Sequence, residues 1–267
     1  MTNKIVDLSH HQGDIDFEQA SKEIDLAIIR VQYGSTSIDR QYKQYVQGCK
    51  RYRIPFGHYA YARFVSIRDA RKEATDFLHR VDPDAKFLAV DVEEVTVKRY
   101  EDLIPATQEF IEVCRQAGWK VGLYTGHYFY HQHHMHKIDA DFLWIPRYST
   151  EDKGHVHHAR PDMHCHLWQY SQRGKVAGIK GHVDLNTIHS ERGLDWFCGA
   201  QEEQLRTQGE RKMNLTDSQW KEMARTYEKA YKKGILSSME WAQKALSKEL
   251  TVDEAIFLQT ILIGRTL

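Results

Sequence analysis

Short apolar runs alternate along the first three quarters of the chain with longer stretches whose apolar residues recur every three or four positions. The runs read as strands and the periodic stretches as helices. Eight strand candidates emerge: Ile5–Ser9, Asp25–Tyr33, Pro55–Phe64, Phe87–Glu93, Lys120–Gly126, Asp141–Tyr148, His164–Tyr170 and His182–Asn186. Between the early ones lie predicted helices at Phe17–Glu23, at residues 40–52 with Tyr42, Tyr45, Val46 and Cys49 in phase, and at Ser66–Arg80 with Ala70, Ala74, Phe77 and Leu78 inward. A fourth covers Leu103–Ala117 and is closed by Gly118, and residues 127–138 read as helix or loop. Strands alternating with helices predict a parallel sheet. Eight of them in about 200 residues predict an irregular β/α (TIM-like) barrel, near the lower size limit of that fold. The gap before the last strand is too short for a crossover helix, which predicts an irregular or antiparallel last strand.

The pattern changes near residue 200. Residues 201–213 are polar and Gln-rich and read as a linker after a barrel of residues 1–200. Residues 214–267 repeat one signature three times, at Leu215-Thr216-x-x-Gln219-Trp220, Leu236-Ser237-x-x-Glu240-Trp241 and Leu250-Thr251-x-x-Glu254-Ala255. Each places a capping residue three before Gln or Glu, so three helices are predicted from about 216, 237 and 251. Trp220, Met223, Ala224, Tyr227, Ala230 and Tyr231 form the apolar stripe of the first.

Charge narrows the possibilities. There are 26 basic against 27 acidic side chains before residue 200 and 11 against 10 after it. Neither part has the basic excess of a general nucleic-acid binder. Cys49, Cys114, Cys165 and Cys198 are scattered, which argues against a disulfide framework or a structural zinc site. The start of the chain lacks an apolar signal core, and no run approaches a membrane span. The expectation is a soluble product made in the cytoplasm. All 16 histidines precede residue 190. His131, His133, His134 and His136, or His155, His157 and His158, could ligate a metal. No HExxH pattern is present, a solvated face is favoured, and neither metal nor cofactor is expected.

Acids stand where strands end: Asp7, Asp91, Glu93 and Asp184. Strand ends converge in a barrel, and Asp91 and Glu93 share a strand face. Two carboxylates held together raise one another's pKa, as cleavage of a glycosidic bond requires. A salt-bridged strand end or a metal-binding pair reads equally well from that stretch alone. Tyr33, Tyr59, Tyr61, Arg63, Tyr124, Trp144, Arg147, Tyr148, Trp168 and Gln169 lie at the same ends, and such residues suit the faces and hydroxyls of a sugar.

Over residues 4–198 the sequence resembles glycoside hydrolase family 25, the phage and bacterial lysozymes. The resemblance rests on Ile5-Val-Asp7-Leu-Ser9 with Gln12-Gly13-Asp14-Ile-Asp16-Phe17, on Val90-Asp91-Val-Glu93, Leu143-Trp144-Ile and Leu167-Trp168-Gln169-Tyr170, and on Gly181-His-Val-Asp184-Leu-Asn186. It implies hydrolysis of the β-1,4 bond from N-acetylmuramic acid to N-acetylglucosamine in peptidoglycan. Glu93 would be the general acid/base, Asp91 its partner at the anomeric carbon, and Asp7 and Asp184 positioning groups. It also implies a phage-type endolysin released by a holin-like partner, with a host-encoded autolysin equally compatible. The helical tail would bind wall polymer or self-associate. The alternative is a non-catalytic cell-wall carbohydrate-binding protein. Many members carry Glu-Gly after the second strand, where this chain has Gln32-Tyr33-Gly34.

Overall fold

The computed structural model describes residues 4–199, 215–251, and 254, 255, 257–259, 261 and 262. These fall into two compact units divided after Cys198. The first unit holds nine strands: β1 (Lys4–Leu8), β2 (Ile24–Tyr33), β3 (Ser37–Ile38), β4 (Phe56–Tyr61), β5 (Leu88–Asp91), β6 (Val121–Tyr124), β7 (Phe142–Pro146), β8 (Leu167–Gly174) and β9 (Val183–Ile188). Its helices are α1 (Phe17–Ala20), α2 (Tyr42–Tyr52), α3 (Ile67–Arg80), α4 (Leu103–Gln116), α5 (His127–Gln132) and α6 (Leu194–Cys198).

The sheet order is β1-β9-β8-β7-β6-β5-β4-β2-β3, and β1 also pairs with β2. Eight strands therefore close a barrel, and the two-residue β3 only folds back on the end of β2. Neighbours from β1 through β2 and β4 to β8 run parallel, while β9 is antiparallel to both β8 and β1. The short connection before β9 forces that reversal. Between β7 and β8, residues 147–166 cross over without a helix or strand.

Side chains alternate across the barrel wall. Leu88, Val90 and Val92 face the outer core with the helices, whereas Phe87 and Ala89 pack inward with Leu26, Ile28, Phe142 and Leu167. Phe197 of α6 closes this inner cluster edge-on to Phe87 and Phe142. Rings thus fill the barrel, and two-residue periodicity carries the inward face on from Ala89 to Asp91 and Glu93. In α3 the Ser66 side chain caps the Asp69 N–H, and Ala70, Ala74 and Phe77 are buried.

In the second unit, α7 (Asp217–Lys232) opens with a full Thr216–Gln219 capping box and buries Trp220, Ala224, Tyr227 and Ala230. Tyr231, expected on that stripe, is exposed. The helix α8 (Glu240–Leu246) starts later than its signature predicts, with Met239 as a cap that makes no side-chain bond. Ser237 is therefore not its cap; Ser238 accepts the Glu240 N–H instead. Thr251 and Glu254 exchange both capping bonds, and the described residues beyond them are helical. Leu236, Leu250 and Leu258 complete this small core. The predicted linker lies outside the described residues.

Candidate active site

Four carboxylates from distant parts of the chain meet at one end of the barrel. Asp7 lies in β1, directly opposite Asp184 of β9. Asp91 ends β5, and Glu93 follows two residues on. Asp7 and Asp184 share a side-chain hydrogen bond, as do Asp91 and Glu93.

Amide donors fix the first pair. Asp7 Oδ2 accepts from Gln169 Nε2 at 2.8 Å and from Asn186 Nδ2 at 2.8 Å. Both amides are themselves oriented. Trp144 Nε1 donates to Asn186 Oδ1 at 2.7 Å, and the Tyr124 hydroxyl donates to Gln169 Oε1 at 2.9 Å, joined there by the Tyr148 hydroxyl. Every donor in this chain leads toward Asp7. Burial raises the Asp7 carboxyl above its ordinary value, while the Asn186 and Gln169 donors pull it back down. Asp184 is pushed up to about 8, by burial first and then by the charge of Asp7.

The second pair is barer. Asp91 is buried, and its Oδ1 has no hydrogen-bond partner. Burial, then the neighbouring Glu93 charge, raise its carboxyl well above the usual range. Burial also raises Glu93, and the hydrogen bond from Asp91 opposes that rise. Both shifts favour a shared proton, with Asp91, the more strongly raised of the two, as donor and Glu93 as acceptor. Arg30 of β2 is the cation whose charge works against the rise at Asp91. It is held by Asp39, which its Nε meets at 3.0 Å, and by the His10 ring.

The expected sugar-binding residues divide into three groups. Tyr59, Tyr124 and Trp144 are buried beneath the carboxylates, with Tyr59 and Tyr124 edge-on to Trp144 at 6.0 and 4.5 Å between ring centres. Tyr33 and Tyr61 stack at 4.8 Å on the rim, and the Arg63 guanidinium lies 5.4 Å from the Tyr33 ring centre. Glu94 ties this platform together, accepting from Tyr61 OH at 2.7 Å and from Arg63 Nη1 at 2.5 Å. Gly34 beneath it has φ +58°, and a Cβ there would sit 3.0 Å from Arg63 Cβ. Tyr148 and Gln169 belong to the Asp7 network. Arg147 turns instead toward the Arg160 carbonyl and Asp162.

Trp168 is the correction. It is fully buried in the outer core, its Nε1 donating to the Arg147 carbonyl at 2.8 Å and its ring against His157. Adjacent strand residues point to opposite faces, so Trp168 and Gln169 cannot share the site. Asn186, Arg30, Asp39 and Glu94 were missed. Asn186 carried a readable signal, two residues from Asp184 on the same face. The histidines expected together as ligands do not meet one another in one cluster: His133 meets Tyr100 OH at 3.1 Å, His157 meets the Tyr170 carbonyl at 3.0 Å, and His131 turns to Asp162. Gln32 is buried away from the rim, its amide donating to the Glu73 carbonyl and its oxygen accepting from Arg80.

Carboxyls paired by hydrogen bonds at a barrel mouth, beside an aromatic platform, suit acid-assisted cleavage of a glycosidic bond. The fold and site define a glycoside hydrolase. Residues 6–179 match the sequence profile of Glycosyl hydrolases family 25. An autolytic lysozyme of Clostridium acetobutylicum is 26% identical over 189 residues, which cover 68% of this chain and 55% of that protein. Among solved structures, the catalytic domain of endolysin ply40, from bacteriophage P40 of Listeria monocytogenes, is 30% identical with a TM-score of 0.67, over 72% of this chain and 95% of that one. GHIP, a glycosyl hydrolase 25 of Streptococcus pneumoniae, is 27% identical with a TM-score of 0.64, over 72% and 88%. The chain belongs to family 25 of the glycosyl hydrolases. No described helix is long and apolar enough to cross a membrane.

Proposed function

We propose that this chain is a muramidase that hydrolyses the β-1,4 bond from N-acetylmuramic acid to N-acetylglucosamine in bacterial peptidoglycan. The observation that carries the reading is the Asp91–Glu93 pair, in which a buried carboxyl with an unpartnered Oδ1 is hydrogen-bonded to a carboxyl that opens to solvent at the barrel mouth. Glu93 takes the shared proton and delivers it to the leaving oxygen as the bond breaks, then withdraws a proton from the attacking water. Asp91, once ionised, stabilises the positive charge at the anomeric carbon. Its unpartnered Oδ1 is an acceptor for the N–H of the 2-acetamido group, which orients the acetamido oxygen for attack. Two carboxyls in hydrogen-bond contact are closer than the roughly 5–5.5 Å spacing of an acid and a covalent nucleophile. That contact favours substrate assistance. The Tyr33–Tyr61 platform offers a stacking face for a neighbouring sugar.

Wall clearance separates this reading from a carbohydrate-binding protein on an inactive barrel. Purified walls should clear with the wild-type protein and stay turbid with Glu93→Gln, while both proteins sediment with the walls. Clearance by Glu93→Gln at the wild-type rate ends the assignment of the acid.

The helical unit is assigned to wall attachment or self-association, with release by a holin-type partner if the chain acts as an endolysin. Truncation near residue 205 should keep activity on small muropeptides and weaken wall sedimentation or change the mass in solution. If both are unchanged, the unit is a stabilising appendage.

A further inference from the structure

Outside the carboxylate cluster, three metal-capable side chains converge on one point. His127 and His131 lie one turn apart on α5 and so share a face. Their Nε2 atoms sit 2.9 and 2.8 Å from the same oxygen, Asp162 Oδ1, and the three donor atoms all lie within 4.8 Å of one another. Asp162 comes from the irregular crossover 147–166, far along the chain. Its second oxygen faces Arg147 Nη1 at 4.0 Å, which orients the carboxylate with Oδ1 toward the imidazoles. His127 is 6% exposed with an Nδ1 that no group bonds, a costly placement for a polar ring whose other nitrogen only shares an acceptor with His131.

We propose that His127, His131 and Asp162 bind a divalent transition-metal ion of the zinc class, and that the ion ties the 147–166 crossover to α5. Zinc takes nitrogen and oxygen donors at about 2.0–2.2 Å, so its ligand atoms stand about 3–3.5 Å apart in a tetrahedron. Each imidazole nitrogen already stands at about that spacing from the carboxylate oxygen, and the two nitrogens lie within 4.8 Å of each other, so an ion would draw the imidazoles together and leave the fourth position to solvent. Two imidazoles select against calcium and magnesium, which prefer oxygen ligands. The role assigned is structural, because the two imidazoles bond Asp162 and not the catalytic acids. Crossovers this long without helix or strand are uncommon in compact domains. Arg147 and Tyr148 begin this one, and Tyr148 reaches Gln169 in the Asp7 network. An ion at Asp162 therefore braces one wall of the active site. The inference stands independently of which polysaccharide the enzyme cuts.

The full-length protein, stripped with a chelator, is titrated with Co²⁺ and then with Zn²⁺. One Co²⁺ should bind with visible absorption bands, and Zn²⁺ should displace it. The side chains of His131 and Asp162 are 52% and 56% exposed, so His131→Ala and Asp162→Ala should fold. Loss of a partner around a metal ligand costs about 10–100-fold in affinity, and loss of a ligand itself costs at least as much, so each variant should bind at least about tenfold more weakly. Zinc should also slow trypsin cleavage after Lys153 in the wild type and not in the variants. Absence of a stoichiometric site in the wild type, or wild-type affinity in both variants, overturns the proposal; in the second case the ion sits on other histidines.

Discussion

The two carboxylate pairs in the barrel mouth are built from the same chemistry and held in opposite ways. Asp7 receives two amide donors, each oriented by a further indole or phenol. Asp91 has an oxygen that nothing bonds, and Glu93 has Asp91 as its side-chain partner. A carboxylate surrounded by fixed donors is anchored in place and in charge state. A carboxylate whose partner is another acid can give or take a proton with little rearrangement. In the proposed mechanism the anchored pair would set the field and the geometry, and the free pair would carry the reaction.

Ranked substitutions test that division. Positioned general acids contribute about 10²–10⁴-fold, so Glu93→Gln should lose about 10³-fold, and at least about 10²-fold, in the rate of wall clearance. Asp91→Asn, which keeps the shape and removes the charge, should lose about 10²–10³-fold. Asp184→Asn should lose far less, because Asn can still donate to Asp7. If Asp184→Asn is as inactive as Glu93→Gln, the two pairs are not functionally distinct.

Asp184 should show itself in stability instead. Its carboxyl rises on folding from 3.8 to about 8. A raised folded pKa means that the contribution is fully present below the unfolded value and is lost as pH climbs through about 8. Wild-type stability to urea should therefore fall between pH 5 and pH 8.5, and this group supplies on the order of 4 kcal/mol of the decline. Asp184→Asn should flatten that part of the slope. An unchanged slope would show that Asp184 ionises freely in the folded protein.

The barrel was legible because its strands are short, apolar and evenly spaced, and because the acids fall at their ends. The antiparallel last strand was legible from the length of chain before it. What escaped depends on contacts between segments. Arg30 and Asp39 meet across a turn, and nothing local marks either as part of the Asp91 environment. The Ser237 signature failed for a related reason. The Ile235 and Leu236 N–H groups both return to the Ala230 carbonyl as the chain leaves α7, so the next helix starts only at Glu240. Thr216 and Thr251 face no such competition, and both form their caps.

The smallest expected effect concerns the residue that the sequence placed on the wrong side of the wall. Trp168 and Gln169 are neighbours on β8, one packed in the outer core and the other donating to Asp7. Trp168→Phe removes the indole bond to the Arg147 carbonyl and some buried ring area. A lost buried hydrogen bond costs about 1–3 kcal/mol, so the urea midpoint should drop. The kcat and KM on walls should change less than about twofold, because strand alternation keeps position 168 away from substrate. A raised KM with unaltered stability would place the indole against the sugar after all. It would also mean that the register of β8 differs from the pairing of Trp168 with Ile145 and Thr187. A one-residue slip would turn Gln169 outward too and strip Asp7 of one of its two donors, so the effect at this position tests how the anchored pair is held.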